Sequence, residues 1–163
     1  MIRVFRISTS TVLVLLTALL FQASIPFGVA QTQRTRAGSG HDDAPLFQEY
    51  RSVRIGMTTE EVRKTLNNPS DKSDEQDFFV FSDNESAQVF YDKSRKVFAI
   101  SVNFLNGARD MPTAKGVFGS DILAKPDGSM YKMVRYPKAG CWVSFSRTAG
   151  EAPLTTVTVQ KIE

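Results

Sequence analysis

One cysteine and one histidine stand among the 163 residues, and that scarcity removes whole classes of chemistry. A catalytic nucleophile needs an oriented base beside it. His41 lies in a polar stretch without large apolar neighbours, and Cys141 has no second histidine to pair with. The one metal-like cluster, His41-Asp42-Asp43, reads as a solvated polar patch, and no metal is expected. A glycine-lysine phosphate loop is also missing. Asp74, Glu75, Asp77, Asp83 and Glu85 are numerous enough for a carboxylate pair of the glycosidase kind, but they fall in polar connections where solvated acids are the ordinary choice. The expectation is a protein that is not an enzyme and holds no cofactor.

Charge of one sign is lacking too, once the N-terminus is set aside. Arg3 and Arg6 form a basic start, Val12 to Phe21 is an apolar run, and Gly28-Val29-Ala30 supplies small residues for a peptidase. This is the pattern of a signal peptide over 1–30, cleaved after Ala30. The apolar centre is shorter than the roughly 20 residues a bilayer span requires, so no membrane span is expected after cleavage. Without Arg3 and Arg6 the 20 basic residues become 18, against 17 acidic ones. A near-neutral chain of this kind is expected to have no nucleic-acid partner, since such partners demand a basic excess on one face. No cysteine lies near Ala30, so no lipid anchor is expected either, and the localisation expected is periplasmic or secreted.

What is present is ordered by period. Residues 31–45, QTQRTRAGSGHDDAP, contain no apolar residue larger than alanine or proline and read as a disordered lead. An α+β domain is expected over 46–163, with 46–108 and 109–163 as its candidate halves. LFQEYRSV, residues 46–53, suggests a first short helix with Phe47 and Tyr50 on one side. A second helix is predicted over 59–66. Thr58 is its N-cap, Glu61 at N3 completes a capping box, and Met57 and Val62 have the spacing of a hydrophobic staple. Thr59 stands outside the cap and is expected to matter little. Asn67 is expected to turn left-handed, and Pro69 forbids continuation. Three aromatic and β-branched runs follow, at 77–83, 87–93 and 96–104, and read as an antiparallel meander. On the last of them Phe98, Ile100, Val102 and Phe104 are assigned to the core face.

A looser version follows: a short helical turn within 112–123, a KPDG turn at 125–128, and strand runs at 130–137, 141–148 and 155–162. Leu66 precedes Phe79, and Phe118 precedes Tyr131, by the same 13 positions. Both a tandem pseudo-repeat and one extended sheet accommodate this second strand trio.

Ile55, Gly56, Met57, Thr58, Val62, Leu66 and Pro69 match in register the motif of the BamE (SmpA/OmlA) family of envelope proteins, which the chain resembles over about 46–105. The wider group shares its fold with β-lactamase inhibitory protein. The resemblance implies two short helices packed on a three-stranded antiparallel sheet, and a role in binding another envelope or secreted protein. Asn67 replaces the family's glycine, and the family's lipid-bearing cysteine is missing.

The motif itself reads as structural. Binding is assigned to the other sheet face: alternation sets Trp142, with Phe90 and Tyr136, away from a core holding Cys141, Val143 and Phe145, and Arg135 is a further candidate binding residue. Cys141 reads as a buried thiol acting as a small hydrophobe. The alternative function is a small-ligand site or cryptic active site in a cleft between the halves, with Arg135, Tyr136 and a carboxylate converging.

Overall fold

The computed structural model describes residues 44–162. The expected signal peptide, most of the expected polar lead and the His41 cluster lie outside the described residues. The chain runs β1 (Glu49–Tyr50), β2 (Val53–Arg54), α1 (Thr59–Leu66), β3 (Asp71–Lys72), β4 (Gln76–Ser82), β5 (Glu85–Tyr91), β6 (Val97–Phe104), α2 (Ala114–Phe118), β7 (Met130–Tyr136), β8 (Cys141–Arg147) and β9 (Thr155–Lys161). Seven strands form one antiparallel sheet of order β3-β4-β5-β6-β9-β8-β7, beside the two-stranded β1-β2 hairpin. The two trios meet through their last strands, β6 against β9, and make one extended sheet.

The fold is mostly β, which corrects the expected two helices on a three-stranded sheet. Among the described residues only α1 reaches eight residues, while α2 has five. The first expected helix is instead the β1-β2 hairpin, with Tyr50 opposite Val53. Its turn residues Arg51 and Ser52 have φ of 48° and 68°, the left-handed pair that a tight hairpin demands. Neither residue type announces such a turn. Arg51 is held in place by its side chain, which lies over the Phe81 ring and donates to Glu85, and Tyr50 Oη donates to the same carboxylate. Burial, and then the Glu85 contact, push the Tyr50 phenol well above its ordinary pKa.

Helix α1 occupies its predicted range, and its capping box is complete. Glu61 N donates to Thr58 Oγ1 at 3.3 Å and Thr58 N donates to Glu61 Oε2 at 2.8 Å. The bond from the Thr58 backbone holds the Glu61 carboxyl below the usual carboxylate range. Thr59 departs from expectation: it is fully buried, and its hydroxyl donates to the Arg95 carbonyl at 3.2 Å. Asn67 has positive φ, 66°, but its ψ of −163° lies outside the left-handed helical basin. Gly56, at φ 88°, donates to the Val97 carbonyl, and Val97 N donates back to Met57. The motif therefore stitches the entry of α1 to the first residues of β6.

A charged group anchors α1 to the sheet. Asp77 is fully buried, although its surroundings in the sequence resemble a solvated connection. The Arg63 guanidinium donates to both of its oxygens at 2.8 Å, and Tyr91 Oη donates to Oδ2 at 2.7 Å. The Asp77 contact raises the Arg63 pKa, and burial followed by the bond to Asp77 raises that of Tyr91. The helices, the hairpin and the inner-facing sheet residues share one apolar core, including Val53, Val62, Phe79, Ile100, Val117 and Phe145. Among the described residues no helix is long and apolar enough to cross a membrane.

Asp77→Ala strands a partly buried guanidinium and removes the Tyr91 acceptor. We expect it to cost about 3 kcal/mol, near the lower end for a broken buried pair, which for a domain of this size is a fall of roughly 10 °C in Tm. Asp74→Ala, removing an exposed partner 3.7 Å from Arg95, should change stability by less than about 0.5 kcal/mol. Calorimetry on both variants checks the contrast.

Candidate functional site

The sheet has a second, outer face, whose composition follows from register. Cross-strand partners define a row running Gln76, Phe90, Ala99, Gln160, Trp142, Arg135 from β4 to β7. The next row runs Phe78, Gln88, Ser101, Thr158, Ser144, Met133, and the third Val80, Ser86, Asn103, Thr156, Ser146, Tyr131. Arg135 is the sole charged side chain in these rows, although 23% of the whole chain is charged. An exposed sheet face ordinarily carries charges that keep it solvated.

The apolar side chains are not spread evenly over the rows. Phe78, Val80 and Phe90 stand towards one margin, and Trp142, Met133 and Tyr131 towards the other. The floor between them, on β6 and β9 with parts of β5 and β8, is short and polar. Three pairs partner one another: Ser101 Oγ and Thr158 Oγ1 are 3.0 Å apart, Thr156 Oγ1 donates to Asn103 Oδ1 at 2.8 Å, and Gln88 Nε2 donates to Gln76 Oε1 at 2.9 Å. A floor that satisfies its own hydrogen bonds loses less when water is displaced than one whose donors are free.

Three of the four expected binding residues fall in a single row. Arg135 and Trp142 are direct partners, and Phe90 lies three strand spacings from Trp142, roughly 14 Å. Tyr136 is the correction. It sits opposite Cys141 on the inner face and is 3% exposed, because residues flanking the Pro137–Ala139 turn face each other across it. Burial raises its phenol pKa. Arg135 and Tyr136 thus point to opposite faces, and the cleft expected to join them does not form.

Phe98 is a second correction. Partner register shifts between Phe90 and Tyr91, so that Tyr91 faces Val97 while Phe90 faces Ala99. The extra residue, Phe98, leaves the core face and lies with its ring centroid 6.1 Å from that of Phe90. A bulge of this kind re-aims a side chain. The two rings line an open concavity of about 1070 Å³ at the end of the sheet, with Lys93, Arg95, Lys161 and Asp74 also among its lining residues.

Catalytic groups are sparse among the described residues. No cluster of histidine, cysteine, aspartate or glutamate suited to a metal occurs among them. Cys141 is buried, and burial raises its thiol pKa, which disfavours the reactive thiolate. Asp77 is committed to Arg63 and Tyr91. No family model, curated protein or solved structure matches the chain.

Removing one member of a floor pair leaves its partner short of a hydrogen bond, whereas removing both does not. Ser101→Ala or Thr158→Ala should each cost up to about 1 kcal/mol, and the double variant should cost less than their sum. Chemical denaturation of the four proteins measures this coupling. Strict additivity would mean that the floor hydroxyls are solvated separately.

Proposed function

We propose that the protein is an exported, non-catalytic binding module that docks another envelope or secreted protein on the outer face of its sheet. The observation that carries this reading is the face itself: aromatic and apolar margins, a short polar floor partly bonded to itself and a near absence of charge. Protein interfaces have this composition at their centres, with charged residues depleted and aromatics, methionine and arginine enriched. Trp142 and Arg135, adjacent in one row, are the residue types that most often dominate binding energy. The signal-peptide pattern and the BamE-like motif support an envelope setting. The sparse catalytic inventory supports a binding role.

A small-ligand reading has one specific observation in its favour, the concavity beside Phe90 and Phe98, where aromatic rings lie near lysine side chains. The protein-docking reading uses far more of the face.

The test is site-specific photo-crosslinking in the native envelope. A crosslinking residue at position 144, in the floor, should trap a discrete protein adduct, and Ser101→Lys should abolish the adduct while lowering Tm by no more than the roughly 4 °C that losing the bond to Thr158 costs. The same residue at exposed position 127 should trap none. Equal adducts from both positions, or no adduct at 144, would refute docking on this face.

A further inference from the structure

The two margins of the sheet end differently. At one, β3 is two residues long, and both, Asp71 and Lys72, are exposed and charged, as sheet edges that resist pairing usually are. At the other, β7 spans the seven residues Met130–Tyr136, and among the described residues no strand lies beyond it. Tyr131 and Met133 are 56% and 47% exposed on this strand. Lys132 does not guard the edge in the usual way. It belongs to the inner face, where its ammonium donates to Ser120 Oγ at 3.1 Å and lies 5.0 Å from the Phe118 ring centroid.

We infer that β7 pairs, antiparallel, with the β7 of a second copy of this chain about a two-fold axis at Met133. A two-fold axis perpendicular to the sheet keeps outer residues on the outer face, so the residues it sets opposite each other share a face. Met133 is the midpoint of β7, and pairing centred there uses the whole strand. Tyr131 then faces Arg135 of the second copy, twice by symmetry, which places a cation against an aromatic ring. Lys132 faces Val134, and Met133 faces itself. An axis at Lys132 would set two ammonium groups directly opposite, which destabilises. An axis at Val134 would bring Pro137, which has no N–H to give, opposite Tyr131. In the Met133-centred dimer both outer faces lie on the same side and join into one surface. The pairing is independent of the proposed docking function, because its test reads the oligomeric state alone.

Sedimentation equilibrium of the mature protein across a concentration series should show a monomer–dimer equilibrium, weakened roughly tenfold by Tyr131→Lys, which opposes two like charges twice over. In oxidising buffer Met133→Cys should form a disulfide-linked dimer, since directly opposed residues lie about 4.5–5.5 Å apart between Cα atoms and within disulfide reach. Tyr131→Cys should not, because position 131 lies about 14 Å from its own copy in this register. Wild-type protein, with Cys141 buried, is the background control. A monomer at every concentration, or cross-linking of Met133→Cys no faster than that of Tyr131→Cys, overturns the proposal.

Discussion

The rest of the structure depends on a buried carboxylate. Asp77 lies on the inner face of β4, where desolvating a charge costs several kcal/mol unless it is paired and fully hydrogen-bonded. Both of its oxygens are bonded, by the fork of Arg63 and by Tyr91. Arg63 also donates to the Ser73 carbonyl at 3.0 Å, tying the connection that leads into β4. The clamp thus joins α1, β4 and β5 at one point and decides which face of the sheet the helix covers.

Coverage of one face leaves the other to be explained by composition. The inner side receives α1, α2 and the hairpin, and is apolar apart from Asp77 and a few other polar groups such as Thr155. The outer side receives nothing from the described residues, yet it carries neither the lysines and glutamates of a solvated sheet nor the continuous apolar surface of a second core. Short hydroxyl and amide side chains, hydrogen-bonded across strands, keep it soluble while leaving little to desolvate. Aromatic side chains at its margins supply contact area. The bulge beside Phe98 adds a second ring to Phe90 at one end of the same row.

Local signals were legible in the sequence, and long-range ones were not. The capping box and Pro69 define α1 within their own turn, and the aromatic and β-branched runs give the six long strands by period alone. The register of β6 against β9 has no local signal, so the row that joins Phe90 to Trp142 and Arg135 emerges only in three dimensions. The bulge that expels Phe98 breaks an alternation that the sequence carries through without a mark. Two misses had usable signals. Asp77 is in phase with Phe79 on β4, which marks it as inward, and Tyr136 flanks a tight turn opposite Cys141, which puts both on one face. The hairpin at Arg51-Ser52 had none, because neither residue favours a left-handed turn and side-chain contacts to Phe81 and Glu85 hold it instead.

The central claim is that the clamp at Asp77 holds α1 on one face of the sheet while the other stays open to solvent. Maleimide labelling of cysteines introduced at adjacent positions of β9, in native Thr158→Cys and Val157→Cys proteins with buried Cys141 as the common background, measures this directly. The account predicts rapid labelling at 158, on the outer face, and strong protection at 157, in the core. Equal protection at both positions would mean that the outer face is already covered, and would contradict it.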